Sequence, residues 1–216
     1  MKKQTILTAV SVGLISLGMV GSAHATLSPR LGGLAYYDDV ADLTWLADAN
    51  YAQTSGYDAD GQMNWQEAID WAAQLTVGGV SGWRLPDTLQ PDASCSVQNV
   101  TESSGFGCTG SEMGGLFYNA LGNTNVFGNT GPFSNTLSDE YWSATEYAPS
   151  TPNAWYFSTF NGFQHFSPKT GIDNPAWAVQ SGDVENVATP VPIHPLVWAI
   201  GSALLGLLGM SRFKKS

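Results

Sequence analysis

The stretch Gly82-Trp83-Arg84-Leu85-Pro86 places an arginine inside an apolar run, directly after the strongest helical pattern of the chain. A guanidinium beside Trp83 is stable below the surface only when carboxylates or carbonyls accept hydrogen bonds from its N–H groups. We therefore predict that Arg84 ties the fold to an acid elsewhere in the chain. Trp83, Arg84 and Pro86 are thus interpreted as structural residues; the alternative is an exposed arginine beside a surface tryptophan.

The residues before this stretch carry the clearest helical pattern, over residues 64–75. Asn64 is a suitable N-cap, and Glu67 stands three residues later, where it completes a capping box. The apolar residues fall at helical spacing and share one face: Trp65, Ala68, Ile69, Ala72 and Leu75. We expect this face to pack on the core.

A second, shorter helix is predicted over residues 111–121. Ser111 can serve as its N-cap, and Gly122 suits the left-handed position that ends a helix. The pair Gly114-Gly115 lowers the intrinsic stability of this helix, so tertiary packing must hold it. Residues 123–135 are rich in Asn, Gly and Thr and are expected to form a loop.

The other regular elements are predicted to be short strands. Asn161-Gly162 is the strongest hairpin signal in the chain. The strands are predicted from alternation and from aromatic or β-branched content: residues 35–39 paired with 43–46, then 141–147, 154–160, 163–166 and 177–179.

Both ends of the chain have the features of targeting segments. Lys2 and Lys3 precede an apolar stretch, and Ala23-His24-Ala25 has the small-x-small pattern of a cleavage site. Near the other end, an apolar run is followed by Arg212 and two lysines, which indicates a membrane-spanning helix; a buried core helix is the alternative. The predicted organisation is a signal peptide at 1–25, a domain at 26–185, a linker and sorting motif at 186–195, a spanning helix at 196–211 and a basic cytoplasmic tail at 212–216.

The predicted exported part is strongly acidic. Residues 26–190 contain three bases (Arg30, Arg84 and Lys169) and all eighteen acids, for a formal net charge of −15. Such a surface repels nucleic acid, anionic lipid and sulfated glycans. It is compatible with divalent cations or neutral ligands.

Cys95 and Cys108 are the only cysteines. Export to an oxidising compartment predicts a disulfide between them, which would stabilise the Ser- and Gly-rich segment 92–110 by about 3 kcal/mol in the chain-entropy model. A metal site or a catalytic thiol is the weaker alternative, because neither cysteine has a histidine nearby in sequence.

Asp58-Ala59-Asp60-Gly61 suggests one cofactor, calcium. Two carboxylates one residue apart, together with backbone carbonyls, can supply oxygen ligands to this ion. The alternative is an ordinary turn, because Asp and Gly are common turn residues. The sequence suggests no other cofactor.

Five segments in this order resemble one known family: 65–72, 82–86, 141–147, 154–157 and 176–179. Together they resemble the C-terminal domain family of the Legionella collagen-like protein (Lcl) over residues 35–183, a domain of unknown function. The resemblance implies an α+β, C-type-lectin-like fold related to formylglycine-generating enzymes. Together with the elements predicted above, the expected fold has two helices packed on short antiparallel sheets and one disulfide. Residues 180–183 depart from the basic, often Cys-containing motif that usually ends the family's last strand.

The C-terminal segment resembles an exosortase sorting signal of the PEP-CTERM type. Its residues are a proline motif, an apolar helix and a basic end: Val191, Pro192, His194, Pro195 and Arg212. The resemblance implies a Gram-negative source, processing by an exosortase-type enzyme, and a protein held in the membrane by its C-terminal helix until it is processed.

Three functions follow as hypotheses. The first is an adhesion module of the cell surface or matrix, without catalysis, that binds glycans or a matrix polymer through exposed aromatic and polar residues: Trp142, Glu146, Trp155 and Asn161. The alternative for these aromatics is burial in the core. The second is a calcium-stabilised matrix protein, and the third is an enzyme of the formylglycine-generating type. That chemistry needs reactive cysteines that bind copper, whereas a disulfide is the simpler interpretation of Cys95 and Cys108, and the lone His165 offers no other catalytic arrangement.

Overall fold

The computed structural model describes residues 25–126 and 128–184. Short strands and four helical segments make up the regular structure of these residues, and one of the four is the short 3-10 helix Leu31–Gly33 between the first two strands. In chain order the elements are β1 (Leu27–Arg30), β2 (Ala35–Asp38), β3 (Leu43–Leu46), α1 (Tyr51–Thr54), β4 (Gln62–Met63), α2 (Trp65–Gln74), β5 (Thr76–Val77), β6 (Val80–Ser81), β7 (Val97–Gln98), β8 (Ser103–Ser104), α3 (Glu112–Gly114) with the π-helical turn Gly115–Ala120, β9 (Glu140–Glu146), β10 (Asn153–Ser158), β11 (Gln164–Pro168), β12 (Asn174–Pro175) and β13 (Val179–Ser181).

All strand pairs within the named sheets are antiparallel. A four-stranded sheet has the order β1-β2-β3-β13, so it contains both the first and the last strand of the described chain. A three-stranded sheet has the order β11-β10-β9, and three two-stranded ladders pair β4 with β12, β5 with β6 and β7 with β8. The predicted α+β class is confirmed, as are the hairpin β2–β3 and the hairpin of β10 and β11 around Asn161-Gly162. The C-type-lectin-like relationship stays a prediction.

Helix α2 begins with the predicted capping box. Asn64 Oδ1 accepts the Glu67 N–H at 3.1 Å, and Glu67 Oε2 accepts the Asn64 N–H at 3.1 Å. The buried face differs from the predicted stripe, because Trp71 is fully buried and the predicted members Ile69 and Leu75 are only half-buried. Leu75 is the C-cap and has an extended backbone, so its side chain leaves the helical face.

The second predicted helix lies where the sequence places it, although most of it has π-helical geometry. Its first turn, α3, continues directly into Gly115–Ala120, where the Leu121 N–H donates to the Leu116 carbonyl at 2.9 Å. Gly114 faces the disulfide segment so closely that a Cβ there would lie 1.8 Å from the Cys108 carbonyl oxygen. The helix is therefore held by close packing, as its glycine pair requires.

The stretch 82–86 joins the two main sheets. Arg84 exchanges two backbone hydrogen bonds with Val179 of β13, at 3.0 and 2.8 Å, and the Pro86 carbonyl accepts the Ala144 N–H of β9 at 2.8 Å. Trp83 is buried. This stretch is therefore a structural element, as predicted.

The acid that binds Arg84 is Glu112 at the start of α3. The two carboxylate oxygens of Glu112 accept hydrogen bonds from Nη1 and Nη2 of Arg84, each at 2.7 Å, and Oε2 also accepts the Asp87 N–H at 2.7 Å. The hydrogen bonds that Arg84 donates to Glu112 raise the pKa of Arg84, against the effect of burial. The predicted tie is confirmed.

Replacing Glu112 by alanine is expected to lower the free energy of unfolding by about 2 kcal/mol, because the half-buried Arg84 guanidinium loses its bidentate carboxylate and keeps only the weaker acceptors Leu85 and Ser181. Urea unfolding of the oxidised chain, followed by circular dichroism, measures this loss. The matched control is Asp87→Ala, which removes a carboxylate that is 3.4 Å from Arg84 but whose side chain is 59% exposed. The control should change stability by less than about 0.5 kcal/mol; equal losses in both variants would contradict the prediction.

The core is rich in aromatic rings, with Trp177 at its centre. The rings of Trp45, Phe133 and Tyr141 contact the Trp177 ring at centroid distances of 5.5, 4.9 and 5.9 Å. Trp177 Nε1 donates to the Leu46 carbonyl at 2.8 Å. The indole therefore packs in the core and satisfies a buried carbonyl of β3 at the same time.

Candidate functional site

The predicted exposure of the aromatic glycan site is wrong. Trp142 and Trp155 are buried, with 0% and 2% of their surfaces exposed. Trp142 Nε1 donates to the Met63 carbonyl at 2.8 Å, and the Trp155 ring packs edge-on against Tyr147 and Phe166. The physical reason is that β10 and the first half of β9 are covered on both faces, so the alternation along these strands leaves no solvent-facing row of rings.

The two polar members of that predicted site also lie apart. The Glu146 carboxylate forms an ion pair with Lys169, whose Nζ lies 4.1 Å from the centroid of the Trp65 ring. Asn161 lies beyond the other end of β10, where its Oδ1 accepts the Phe163 N–H at 3.0 Å in the hairpin turn. These four residues do not converge on one surface.

The predicted disulfide is confirmed between Cys95 and Cys108, both of which are buried. The Asp92 carboxylate lies within 4.8 Å of both sulfur atoms. It accepts hydrogen bonds from the N–H groups of Ser94 and Gly110, each at 2.9 Å. Cysteine binds a metal ion as the thiolate, and here both sulfur atoms are joined in the disulfide. The disulfide and the Asp92 hydrogen bonds therefore stabilise the loop.

Asp58 and Asp60 shape the turn before β4. Asp58 Oδ1 accepts the N–H groups of Asp60 and Gly61 at 3.0 and 2.8 Å, and Asp60 Oδ1 accepts the Gln62 N–H at 3.0 Å. Burial raises the pKa of Asp58, but these backbone hydrogen bonds outweigh that effect and hold the pKa below its ordinary value. The geometry agrees with the turn interpretation, and calcium binding stays a prediction.

The bases of the described residues are all engaged by acids. The ion pairs are Arg30 with Asp183, Arg84 with Glu112 and Lys169 with Glu146. The Arg30 pair is bidentate, and its second hydrogen bond, from Nη2 to Asp183 Oδ2, measures 2.7 Å. A ligand that binds to the described surface therefore meets more carboxylates and neutral groups than basic groups.

A cleft of about 260 Å³ opens where β2, β3 and α1 meet, and we call it the Tyr51 cleft. Its floor is apolar, and its rim combines an aromatic ring with polar groups. The lining residues are Gly33, Leu34, Leu46, Ala47, Asp48, Tyr51, Val77 and Ser134. Leu46 and Val77 are buried, Tyr51 is half-buried and Leu34 is 49% exposed. The cleft thus offers an apolar surface beside a carboxylate and a hydroxyl.

The Asp48 carboxylate is held in a fixed orientation in this cleft. Its Oδ1 accepts the Asn50 N–H at 2.9 Å, and its Oδ2 accepts the Thr54 hydroxyl at 2.8 Å and the Asn135 Nδ2–H at 2.9 Å. A carboxylate has roughly four acceptor positions, so Asp48 can accept a further hydrogen bond. Ser134 donates its hydroxyl proton to the Ala47 carbonyl at 3.2 Å, which leaves the Ser134 oxygen available as an acceptor.

Two non-glycine residues beside the Tyr51 cleft have left-handed backbones. Leu31 has φ 51° and leads into Gly33 of the rim, while Asn135 has φ 52° and binds Asp48. Asparagine adopts this conformation readily, whereas for leucine it costs about 1–3 kcal/mol and persists only where the surrounding structure enforces it, often at binding sites. The strain supports a functional interpretation of the cleft.

Sequence reasoning missed the Tyr51 cleft because its parts are distant in the chain. The contacts Ala47–Ser134 and Asp48–Asn135 each span 87 residues. The one local signal was Tyr51, a large ring at the start of a polar segment.

A second cleft, of about 280 Å³, lies between the turn after β2 and the start of α3, and we call it the Glu112 cleft. Asp38 and Val40 line one side, and Glu112 and Asn119 line the other. Ala25, the first described residue, forms part of its wall. Both carboxylates are engaged, since Asp38 accepts the N–H of Val40 at 3.0 Å and Glu112 binds Arg84.

These features define a class of protein: an α+β domain of short antiparallel sheets, closed by one disulfide, with an acidic surface. The Lcl C-terminal domain family matches residues 35–180, and the chain belongs to this family. No curated protein matches the chain. The family and the disulfide are consistent with an extracellular or cell-surface protein.

Most of the targeting predictions concern residues at the two ends of the chain, beyond the part that the structure describes. The signal peptide before Ala25, the sorting motif at 191–195, the helix at 196–211 and Arg212 lie outside the described residues. Within residues 25–126 and 128–184, no helix is long and apolar enough to cross a membrane.

Proposed function

We propose that this chain is an exported module of the cell surface or extracellular matrix that binds a neutral, hydroxyl-rich ligand through the Tyr51 cleft. Adhesion to a glycan or a matrix polymer is the function that this binding would serve. The observation that carries the proposal is the oriented Asp48 carboxylate beside the Tyr51 ring and an apolar floor. Aromatic rings and acceptor groups in one cleft are the usual means of binding a sugar ring and its hydroxyls.

The charge of the domain supports a neutral ligand. The bases of the described residues are engaged in ion pairs, and the acids far outnumber them. An anionic ligand would meet repulsion and no free partner in this field, whereas a hydroxyl group can donate to a carboxylate without a counter-charge. The volume of about 260 Å³ lies just below the range of drug-sized pockets, which suits one sugar unit of a longer chain.

We further propose that the domain binds without catalysis. The His165 ring packs between Phe163 and Phe166, at centroid distances of 5.7 and 4.4 Å. Burial and the neighbouring Glu140 raise the pKa of Tyr156 to about 12, which is the opposite of the lowered pKa that would activate this hydroxyl as a base. Export, processing by an exosortase-type enzyme and transient anchoring by the C-terminal helix belong to the same proposal.

The full chain, purified in detergent, should bind neutral glycans on an array, and Tyr51→Ala should weaken that binding at least about tenfold, because one ring contact and its apolar area are lost. Asp48→Asn tests the acceptor and should weaken the same glycans. The matched control is Tyr57→Ala, which removes another tyrosine of this segment, 48% exposed, that does not line the cleft.

Two outcomes would overturn the proposal. One is binding that Tyr51→Ala and Tyr57→Ala reduce equally, which would place the ligand elsewhere. The other is binding confined to anionic glycans, which would contradict the charge argument. Circular dichroism of each variant separates a loss of binding from a loss of folding.

A further inference from the structure

The start of the domain is bound to an acid in the neighbouring turn. The backbone N–H of Thr26 donates to Asp39 Oδ1 at 2.7 Å. Strand β1 begins at the next residue, and its first pair sets Leu27 opposite Asp38, so Thr26 is aligned with Asp39. The contact thus joins the residue before β1 to the residue after β2, and the ladder between these strands fixes its position.

The same residue follows the predicted cleavage site Ala23-His24-Ala25. We propose that cleavage after Ala25 turns this hydrogen bond into an ion pair, so that the mature amino terminus of Thr26 becomes part of the folded domain through Asp39. A signal peptidase of the exporting cell would supply the reaction. One water molecule is consumed and the C–N bond between Ala25 and Thr26 breaks. Ala25 gains the water oxygen and becomes a carboxylate, and the Thr26 nitrogen gains two protons and becomes an ammonium group.

The surroundings favour a positive charge at this position. Asp39 is exposed and follows the buried Asp38, whose carboxylate accepts the N–H groups of Val40 and Ala41, each at 3.0 Å. Glu112 faces the same cleft as Ala25 and binds Arg84. Tyr37, Asp42 and Asp183 also lie near Asp39, since the carboxylates of Asp39, Asp42 and Asp183 all raise the pKa of Tyr37. Among the described residues, the cations closest to these acids, Arg30 and Arg84, are both paired with carboxylates. The donor is a backbone atom, so the pair costs little side-chain entropy.

Cleavage would also change the Glu112 cleft. Ala25 forms part of its wall and would leave with the signal peptide. The mature cleft would therefore be wider than about 280 Å³ and would have the ammonium group of Thr26 at its edge. The uncleaved and mature chains should differ at this one surface.

The first measurement is the mass of the amino-terminal peptide of the exported chain, which should begin at Thr26. The second is the pKa of its α-amine, from the pH dependence of labelling by an amine-specific reagent, quantified on that peptide. An ordinary α-amine has a pKa of about 7.7–8.0. In the exported chain this pKa should be higher than in Asp39→Asn by at least about 0.5 units. Asp173→Asn, at another exposed acid, is the control and should keep the wild-type value.

Acetylation of Thr26 gives a second readout, because it keeps one N–H donor and removes the charge. It should lower the thermal midpoint of the wild-type chain and leave that of Asp39→Asn unchanged. A terminus at another residue, or an α-amine pKa that is the same in wild type and Asp39→Asn, would overturn the proposal. Because Asp39 is exposed, we expect the Asp39→Asn variant to fold like the wild type. Circular dichroism of both proteins verifies this.

Discussion

Gly114→Ala is expected to destabilise the domain by about 3 kcal/mol, the upper end of the cost of overpacking. The new Cβ would lie 1.8 Å from the Cys108 carbonyl oxygen, which is backbone and is fixed by the disulfide. Both contacting parts are backbone, so neither can relieve the clash by a side-chain rotation. The helix α3 would have to shift away from the segment 92–110. Urea unfolding of the oxidised chain measures the loss.

Gly115→Ala is the matched control in the same helix. A Cβ at Gly115 would meet the Thr109 carbonyl oxygen at 3.4 Å, an ordinary contact, and the backbone there is helical. This substitution should be neutral or should stabilise the helix by up to about 1 kcal/mol, because alanine has the higher helical propensity. Similar losses at Gly114 and Gly115 would show that propensity, and not the close approach, governs this helix.

Trp177→Ala is expected to cost about 3–5 kcal/mol, as is usual when a large aromatic side chain is removed from a core. The change removes three ring contacts and leaves the Leu46 carbonyl without its indole donor. A loss of this size is a large part of the stability of an ordinary domain, so the variant should unfold at much lower urea concentration.

Trp177→Phe separates the two effects at this position. It keeps a ring in the core and removes the hydrogen bond to Leu46, so its loss should be smaller than that of the alanine variant. Val100→Ala is the surface control, because Val100 is 99% exposed, and it should change stability by less than about 0.5 kcal/mol. A Trp177→Ala variant as stable as this control would contradict the role given to Trp177 in the core.

Local signals in the sequence were sufficient for much of the fold. The capping box at Asn64 and Glu67, the hairpin at Asn161-Gly162 and the disulfide each depend on residues close in the chain, and each is present. Arg84 was predictable for a different reason, because a cation in an apolar run must have an acid. That its partner is Glu112 was not predictable, since a sequence of eighteen acids does not say which one is near.

The candidate site was much less predictable. Trp142 and Trp155 lie in strands whose alternation is the same whether one face or both faces are covered, so the sequence alone did not show that they are buried. Asp48 and Ser134 of the Tyr51 cleft come from segments that only the tertiary structure brings together. Long-range contacts of this kind leave no periodic pattern in the sequence.

The place of β13 in the four-stranded sheet has a mechanical consequence for a domain held by its C-terminal end. Tension from an anchor would enter the domain at Asp183 and act first on β13, which is hydrogen-bonded to β3 on one side and to Arg84 on the other. The Arg30–Asp183 ion pair would transmit part of this force to β1. The domain would thus meet a pull from the cell surface at a strand that is hydrogen-bonded on both of its edges, whereas the Tyr51 cleft lies at the far end of β3.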